Sequence, residues 1–186
     1  AHSLNAATIS TIVPCTRSHG KNTIYAMNYG AADLKLGKMH GGGKKLGGEI
    51  RKALSESTPG MKQLNAWLAK MQEEEGSVIS LDGRRIPIRH RHTALNTLLQ
   101  GGGAVVMKWV PVILERILPD YGIIPGKDYY QTIHVHDECQ GSLRKGNREG
   151  FTAAVDRAFE LVSDILNLRV PVSGTADFGE SWLDTH

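Results

Sequence analysis

Cysteine is scarce in this chain, with only Cys15 and Cys139 among its 186 residues. The two are far apart, and neither belongs to a CxxC pair. This pattern excludes a disulfide scaffold and a zinc ribbon, and it is typical of proteins in a reducing compartment. We therefore expect a cytoplasmic protein.

Long apolar runs are also missing. None is long enough to cross a bilayer and no signal peptide opens the chain, so we expect no membrane partner. The phosphate-binding motif GxxxxGK[ST] is absent as well. The composition is globular, 40% hydrophobic, with a net charge of +3 that is compatible with an anionic partner. Because the chain begins with Ala1 rather than Met, we expect a piece of a larger protein.

The stretch from Thr16 to Gly30 predicts a helix. Thr16 is a suitable N-cap, and Gly30 is a suitable stop. Arg17, Lys21 and Tyr25 recur every four residues and therefore share one face of the helix. Two cations followed by an aromatic ring suit a triphosphate with a sugar and base beyond it. An exposed helix face that binds nothing is the alternative.

Glycine is concentrated between residues 37 and 48, where six glycines stand among lysines. This stretch predicts a flexible basic loop, and it is the expected boundary between two moving parts. Pro59 predicts the first turn of a helix, and Asp82-Gly83 predicts a hairpin with a two-residue turn. Residues 170–177 predict a final strand.

Positive charge is concentrated just before a long predicted helix that runs from about Thr93 to Leu118. The cluster consists of Arg84, Arg85, Arg89, His90, Arg91 and His92. Such a cluster suits contact with a phosphate backbone, although a solvated charge run is the alternative. Asn96 and Gln100 lie one helical turn apart, so both could reach base edges. The glycines at 101–103 cost roughly 1 kcal/mol each against alanine in a helix, so we expect something to approach them closely.

The stretch from Gln131 to Gln140 predicts a strand, a tight turn and a second strand. Asp137 and Glu138 fall at the turn, where their charges can converge on a cation. Mg²⁺ takes oxygen ligands and usually binds through one or two carboxylates plus substrate phosphates. A polar hairpin tip is the alternative, since turns favour Asp for local reasons.

These motifs resemble the C-terminal polymerase region of family A DNA polymerases, the bacterial polymerase I type, and most of all the replicative polymerases of T-odd phages. The pattern R-x3-K-x3-[FY]-x3-YG at residues 17–30 is similar to the fingers-helix motif of that family. The sequence H-D-E at residues 136–138 is similar to its palm motif. Other matching segments are residues 2–5, 81–85 and 94–100. Because both motifs occur in the family's order and separation, the resemblance is specific.

The resemblance implies a mixed α+β fold, with a helical fingers subdomain and part of an antiparallel-sheet palm. Residues 1–75 would form the fingers-like region. Residues 76–186 would form the palm-like region with the long helix and the H-D-E hairpin. The implied activity is template-directed transfer of nucleotides from dNTPs to the 3′ end of a primer, with primer–template DNA as the partner. A viral member would work in the host cytoplasm.

On the fingers side, the resemblance assigns a role to each matching residue. Arg17 and Lys21 would bind the phosphates of the incoming nucleotide, with His2 assisting. Lys21 would also be the general acid for the pyrophosphate leaving group. Tyr25 would stack near the sugar and base, and Tyr29 would hold the template-side position.

On the palm side, the resemblance implies contacts with metal and DNA. Asp137 would coordinate two catalytic Mg²⁺ ions, with Glu138 close by. The DNA contacts would come from Arg89, His92, Asn96, Gln100 and His136. The last three would read minor-groove acceptors near the primer terminus. His92 stands where many members carry Arg, and Gly20 should loosen the fingers helix.

A second palm motif of the family, a D-Y-S-x-x-E-like strand with another metal-binding Asp, is missing from the sequence. Two-metal phosphoryl transfer needs a clamp on both the attacking and the leaving oxygen. One ion would therefore be shared with a carboxylate outside this chain. We expect catalysis only with an N-terminal polymerase fragment that carries the thumb and the missing motif, and an inactive chain without it.

Two other interpretations stay open at this point. The chain could be a non-catalytic nucleic-acid-binding or nucleotide-binding remnant of such a polymerase. It could also be an unrelated metalloprotein whose single ion is held by His134, His136, Asp137 and Glu138. That interpretation relies on the two histidines facing the same side of a strand. The joint presence of phosphate-binding cations and the carboxylate pair favours the polymerase.

Overall fold

Seven α-helices and four strands make up the α and β structure of residues 2–185, the part of the chain that this computed structural model describes. The helices are α1 (His2–Ser10), α2 (Arg17–Asn28), α3 (Asp33–Met39), α4 (Lys44–Ser57), α5 (Pro59–Glu74), α6 (Ala94–Ile117) and α7 (Arg148–Ile165). The strands are β1 (Ser77–Ile79), β2 (Arg85–Pro87), β3 (Tyr129–Val135) and β4 (Glu138–Leu143), and they form two antiparallel pairs. The predicted mixed α+β class is confirmed.

The chain divides into two compact units. The first contains the residues up to Ile79 together with Arg84–Leu99, and the second contains Ser80–Gly83 and the residues from Gln100 onward. Helix α6 contributes its first six residues, 94–99, to the first unit and the rest to the second. The sequence placed the change from a fingers-like to a palm-like region after residue 75. Assignment of those two names to the two units stays a prediction.

The first unit contains two clusters of buried apolar residues. Leu68 of α5, Val78 of β1 and Leu95 of α6 belong to one cluster, which holds the β1–β2 hairpin against the helices. The other cluster joins α1 to α4 through Ile9 and Ile50, both fully buried. Burial of a side chain of this size contributes roughly 1.5–3 kcal/mol to folding. These two clusters thus hold the helices and the hairpin of the first unit together.

The glycine-rich stretch 37–48 is helical for most of its length, with a four-residue connection between α3 and α4. A Cβ on Gly47 would collide with the carbonyl oxygen of Asp33, and one on Gly37 would collide with that of Gly43. These glycines let two backbones pack in direct contact, since they carry no side chain. The predicted flexible loop is therefore wrong. The predicted boundary is wrong too, because the stretch lies inside the first unit.

Two predicted strand features differ from the structure. The β1–β2 hairpin is present, but Ile79 pairs with Arg85, so the connection is longer than the predicted two-residue turn. Residues 170–177 form no strand. They are held by packing on the core of the second unit, and by a hydrogen bond of 3.1 Å from the Val172 backbone N–H to Ser163 Oγ. Side-chain contacts thus replace strand pairing there.

The second unit is built around the second half of α6 and all of α7. Val110, Leu114 and Leu118 pack against Ala158 and Val162 in its core. The predicted long helix is confirmed to within one residue at each end. By length and composition alone, the segment 91–121 could span a membrane, in contrast to the sequence expectation that no run is long enough. In the structure, many of its apolar side chains belong to the core of the second unit.

Candidate active site

Helix α2 carries the residues predicted to contact a nucleotide. Its first turn is capped by Thr16, whose Oγ1 accepts a hydrogen bond of 3.2 Å from the His19 backbone N–H. The helix ends at Asn28, and Gly30 follows with a positive φ of +79°. A left-handed conformation at this position favours glycine. The predicted cap and stop of this helix are both confirmed.

The buried face of α2 packs against α1 through Gly20. A Cβ on Gly20 would lie 2.9 Å from the backbone N and Cα of Ala6, closer than carbon atoms pack. The helix runs through Gly20 without interruption. Gly20 thus brings α1 and α2 into direct contact, and the prediction that it loosens α2 is corrected. The sequence did not show this because the partner residue lies on another helix.

A second contact on the buried face involves Thr23, which is fully buried. Its hydroxyl donates to the His19 carbonyl oxygen at 2.7 Å and lies 2.7 Å from His40 Nε2. A hydroxyl has one proton, so His40 Nε2 must donate to Thr23. Burial, with the charge of His19, lowers the pKa of His40. A neutral His40, which follows the end of α3, therefore holds the buried face of α2 in place through its hydrogen bond to Thr23.

The exposed face of α2 brings three predicted site residues together. Lys21 Nζ lies 5.7 Å from the centre of the Tyr25 ring. The His2 ring meets the Tyr25 ring edge-to-face, with their centres 5.7 Å apart. A cation beside an exposed ring contributes about 0.5–1 kcal/mol. Arg17 and Tyr29 are exposed one turn to either side. The face of α2 and His2 of α1 together therefore offer charge, an aromatic ring and an imidazole.

His92 lies beside the end of α2. A Cβ on Gly30 would approach the His92 Cβ to 3.0 Å, which places the two residues in contact. The His90 and His92 rings stack with centres 5.5 Å apart and planes at 4°. Arg89 is exposed just before them. The structure thus places the predicted contact at His92 next to the helix that carries Lys21 and Tyr25.

Asn96 and Gln100 lie on α6 four residues apart, Asn96 half-buried and Gln100 exposed. In the triple glycine that follows them, a Cβ on Gly103 would meet nothing within 4 Å among the described residues. Within residues 2–185, a Cβ on Gly102 would meet only the Leu81 side chain, at 3.5 Å. The close approach expected at the triple glycine is therefore not made by the described residues of this chain.

The carboxylate hairpin is β3–β4, in the second unit. Val135 pairs with Glu138, so His136 and Asp137 form a two-residue turn. His136 is left-handed, with φ +52°. Asp137 is exposed in the turn, whereas Glu138 begins β4 and accepts a hydrogen bond from Gln140 Nε2. The predicted strand–turn–strand is present, with one carboxylate in the turn and the other in the strand.

Two features of this hairpin were not predicted. The strand pairing shifts by one residue between Gln131 and Ile133, which makes Thr132 the extra residue of a β-bulge. At the base of the hairpin, Arg144 Nη1 lies 3.1 Å from Asp128 Oδ1. The Ile124 backbone N–H and Arg144 together hold the pKa of Asp128 below its ordinary value. A single bulge residue and a single ion pair leave no periodic pattern in the sequence, so neither could be predicted from it.

No group of three or more His, Cys, Asp and Glu side chains in residues 2–185 is placed to hold a metal ion. His136 lies in the turn rather than on the strand with His134, so the two do not share a strand face. The single-ion metalloprotein interpretation is therefore wrong. The adjacent Asp137 and Glu138 offer hard oxygen ligands that fit Mg²⁺, provided that other ligands complete the shell.

The comparison with known sequences decides the family. The model of DNA polymerase family A matches residues 1–184. This chain belongs to DNA polymerase family A. It is 33% identical over 180 residues to the DNA-directed DNA polymerase of Escherichia phage Phieco32, and 31% identical over 188 residues to that of Escherichia phage T7. Each match covers 92% of this chain but only 28% or 27% of the relative, so the chain spans just over a quarter of their length.

A solved family A structure has a similar fold. It is the POL domain of Pol1 from M. smegmatis, in complex with DNA primer-template and dNTP. The TM-score is 0.74 at 17% identity, over 87% of this chain and 31% of that one. At this identity the match concerns the fold alone.

Proposed function

We propose that this chain is the C-terminal fingers-and-palm part of a DNA-directed DNA polymerase. It acts on primer–template DNA and dNTPs, and it needs an N-terminal partner with the thumb and the other palm Asp. The observation that carries the proposal is the exposed cluster of Lys21, Tyr25 and His2, in a chain that matches family A along residues 1–184.

The incoming nucleotide binds along the exposed face of α2. Arg17 and Lys21 pair with the triphosphate, assisted by His2, because these groups present donors to phosphate oxygens. The Tyr25 ring lies against the sugar, and Tyr29 holds the template side. Contacts with the triphosphate read no base, so they serve all four dNTPs alike.

In the chemical step the primer 3′-hydroxyl loses its proton to water, and its oxygen bonds to the α-phosphorus while the bond from that phosphorus to pyrophosphate breaks. Asp137 and Glu138 are the residues of this chain that would hold Mg²⁺. When bound, Mg²⁺ stabilises the charge on the attacking and leaving oxygens. Lys21 Nζ donates a proton to the leaving pyrophosphate. The remaining metal ligands come from the partner fragment, since this pair alone cannot complete two shells.

The second ligand of this chain is the primer–template. Its contacts are Arg89, His92, Asn96, Gln100 and His136. The open surface at Gly103 supports this path, because a nucleic acid backbone can come close to a helix that carries no side chain there. Minor-groove acceptors are nearly the same in every base pair, so the amides sense the shape of the pair rather than its sequence.

The proposal is tested by primer extension. The purified chain is assayed alone, and mixed with a separately purified N-terminal fragment that carries the thumb and the second palm motif. We expect no extension by the chain alone, and Mg²⁺-dependent extension by the mixture that a chelator stops. Extension by the chain alone would contradict the shared metal site. Failure of the folded mixture would instead indicate a non-catalytic binding remnant.

A further inference from the structure

Thr23 is a polar residue on the fully buried side of α2. It stands two residues from Lys21 and two from Tyr25. Two residues turn a helix by about 200°, so Thr23 lies on the side of α2 opposite to the face that carries Lys21 and Tyr25. A buried hydroxyl destabilises a fold unless it finds hydrogen-bond partners, whereas an apolar side chain needs none. The packing of the first unit alone therefore gives no reason for a hydroxyl at this position.

The Thr23 hydroxyl joins α2 to the end of α3. It donates to the His19 carbonyl oxygen at 2.7 Å within α2, and it accepts a hydrogen bond of 2.7 Å from His40 Nε2. A hydrogen bond has a preferred angle as well as a preferred length, so the bond from His40 resists rotation of α2 about its own axis. The contact of Gly20 with Ala6 has no preferred angle. That contact sets the distance between α1 and α2, and the hydrogen bond sets the rotation of α2.

His40 stands on a firm support. It is the C-cap of α3, and its backbone N–H donates to the Gly37 carbonyl oxygen at 3.0 Å. Gly37 lies where α3 meets the start of α4 backbone to backbone, since a Cβ there would collide with the Gly43 carbonyl oxygen. Asp33 Oδ1 of α3 also lies 2.6 Å from Arg51 Nε of α4. The α3–α4 pair is therefore a fixed reference to which the hydrogen bond ties α2.

We propose that His40 is a positioning residue for nucleotide binding, which acts through Thr23 to hold the rotation of α2. This inference rests on the proposed function of the α2 face. A bond on the buried side of the helix sets the direction of the side chains on its exposed side, so it keeps Lys21 and Tyr25 aligned for one nucleotide. When only a fraction of the molecules is competent to bind, the apparent Kd rises by the inverse of that fraction. Loss of the bond should therefore weaken dNTP binding although no group that touches the nucleotide has changed.

The test combines calorimetric titration of the isolated chain with dNTP and amide hydrogen exchange of residues 16–30. His40→Leu removes the donor to the Thr23 oxygen, and Thr23→Val removes the hydroxyl itself. We expect each substitution to raise the Kd for dNTP about three- to tenfold, the range that the loss of one hydrogen bond gives. Each should also speed exchange in α2, since a helix that is held less firmly opens more often. Thr23→Ser keeps the hydroxyl, so its Kd should stay within about twofold of the wild-type value.

Thr152→Val is the matched control. The Thr152 hydroxyl donates at 3.0 Å to the carbonyl oxygen of Arg148, four residues earlier on α7 in the second unit. It therefore makes the same bond within a helix that Thr23 makes to His19. Thr152→Val should leave the Kd for dNTP unchanged. An equal rise of the Kd in Thr152→Val and Thr23→Val would overturn the proposal, because the bond from His40 would then carry no effect of its own.

The double variant Thr23→Val/His40→Leu separates positioning from stability. It replaces both partners by apolar groups, so the free energy of unfolding, measured in urea, should return toward the wild-type value. The Kd should stay raised, because an apolar contact does not fix the rotation of a helix. Recovery of the affinity together with the stability would overturn the proposal, and so would wild-type affinity in His40→Leu. If exchange in α2 speeds up in His40→Leu while the wild type binds no dNTP, the proposed function falls and the role of His40 in fixing α2 stands.

Discussion

The exposed face of α2 and the tip of the β3–β4 hairpin both carry predicted active-site residues, but they are supported differently. Behind the α2 face, Gly20 packs on Ala6, and buried Thr23 bonds to His40. At the hairpin tip, Asp137 is exposed, and so are Ile133 and Val135 beside it, at 51% and 52%. The first region is positioned by the core of its own unit. The second has an exposed tip and an ion pair, Asp128–Arg144, at its base.

The difference indicates which part of the chemistry this chain performs unaided. A binding face that is already ordered loses little entropy when it meets a ligand. A carboxylate in an exposed turn lacks the surrounding shell that positions a metal for catalysis. Nucleotide binding should therefore belong to this chain by itself, whereas the metal step should depend on the partner fragment. The predictions below test that separation.

The largest effect should follow Asp137→Ala in the reconstituted enzyme. Extension should fall by about 10³-fold or more, because the carboxylate acts on charge that develops in the transition state. Primer–template affinity should stay within about twofold, since phosphate contacts elsewhere supply most of it. Single-turnover extension and anisotropy measure the two quantities. Asp156→Ala, an exposed acid on α7, is the control. If affinity fell as far as rate, Asp137 would be structural.

Tyr25→Phe should change the choice between sugars rather than the overall rate. If Tyr25 has the role that the fingers-helix motif implies, its hydroxyl takes the place of the 3′-hydroxyl that a dideoxynucleotide lacks. The wild type should then accept dideoxynucleotides almost as readily as dNTPs. Without the hydroxyl, discrimination should rise by several orders of magnitude, up to ~10⁴-fold. Single-nucleotide incorporation measures it. Tyr29→Phe should not alter the ratio of dNTP to dideoxynucleotide incorporation. Equal discrimination by wild type and Tyr25→Phe would show that Tyr25 does not lie at the sugar.

Lys21→Ala should separate binding from chemistry on the α2 face itself. The KM should rise equally for all four dNTPs, and the maximal rate should fall about 10²-fold or more if Lys21 is the general acid. Arg17→Ala should raise the KM with little change in rate. Steady-state kinetics with each dNTP measures both parameters. Base-dependent changes in KM would refute a purely triphosphate contact.

The smallest effects concern the support behind α2. Gly20→Ala forces a methyl group against the Ala6 backbone, so it should lower the free energy of unfolding by about 1–3 kcal/mol. Gly103→Ala adds a methyl group inside a helix that meets no described residue within 4 Å, so it should be neutral or stabilising by up to ~1 kcal/mol. Urea unfolding of the isolated chain measures the free energy of unfolding of both variants. If both substitutions changed the free energy of unfolding equally, the α1–α2 packing would not be tight.

The sequence predicted the features that depend on neighbours along the chain. The cap at Thr16, the helix start at Pro59 and the long helix α6 all follow from local residue preferences. It failed where tertiary contact decides the conformation. The glycines at 37 and 47 look like loop residues in sequence, and only the packing of α3 on α4 shows why helices contain them.

The candidate site also combines features set by neighbours along the chain with features set by tertiary contact. The four-residue spacing of Lys21 and Tyr25 put them on one face, and the structure brings them together with His2. The Thr132 bulge and the Asp128–Arg144 pair had no sequence signal, because each depends on how the two arms of the β3–β4 hairpin are aligned. The metal ligands beyond Asp137 and Glu138 lie outside what this sequence can specify.

The separation between binding and chemistry is tested most directly by dNTP binding to the isolated chain, without partner fragment or added metal. Calorimetric titration of wild type, Lys21→Ala and Asp137→Ala gives the three values of Kd. We expect saturable binding that Lys21→Ala weakens about tenfold and Asp137→Ala leaves unchanged, as the loss of one charged hydrogen bond to phosphate implies. Equal weakening by both substitutions, or no binding until the partner fragment is added, would contradict a nucleotide-binding face built by this chain alone.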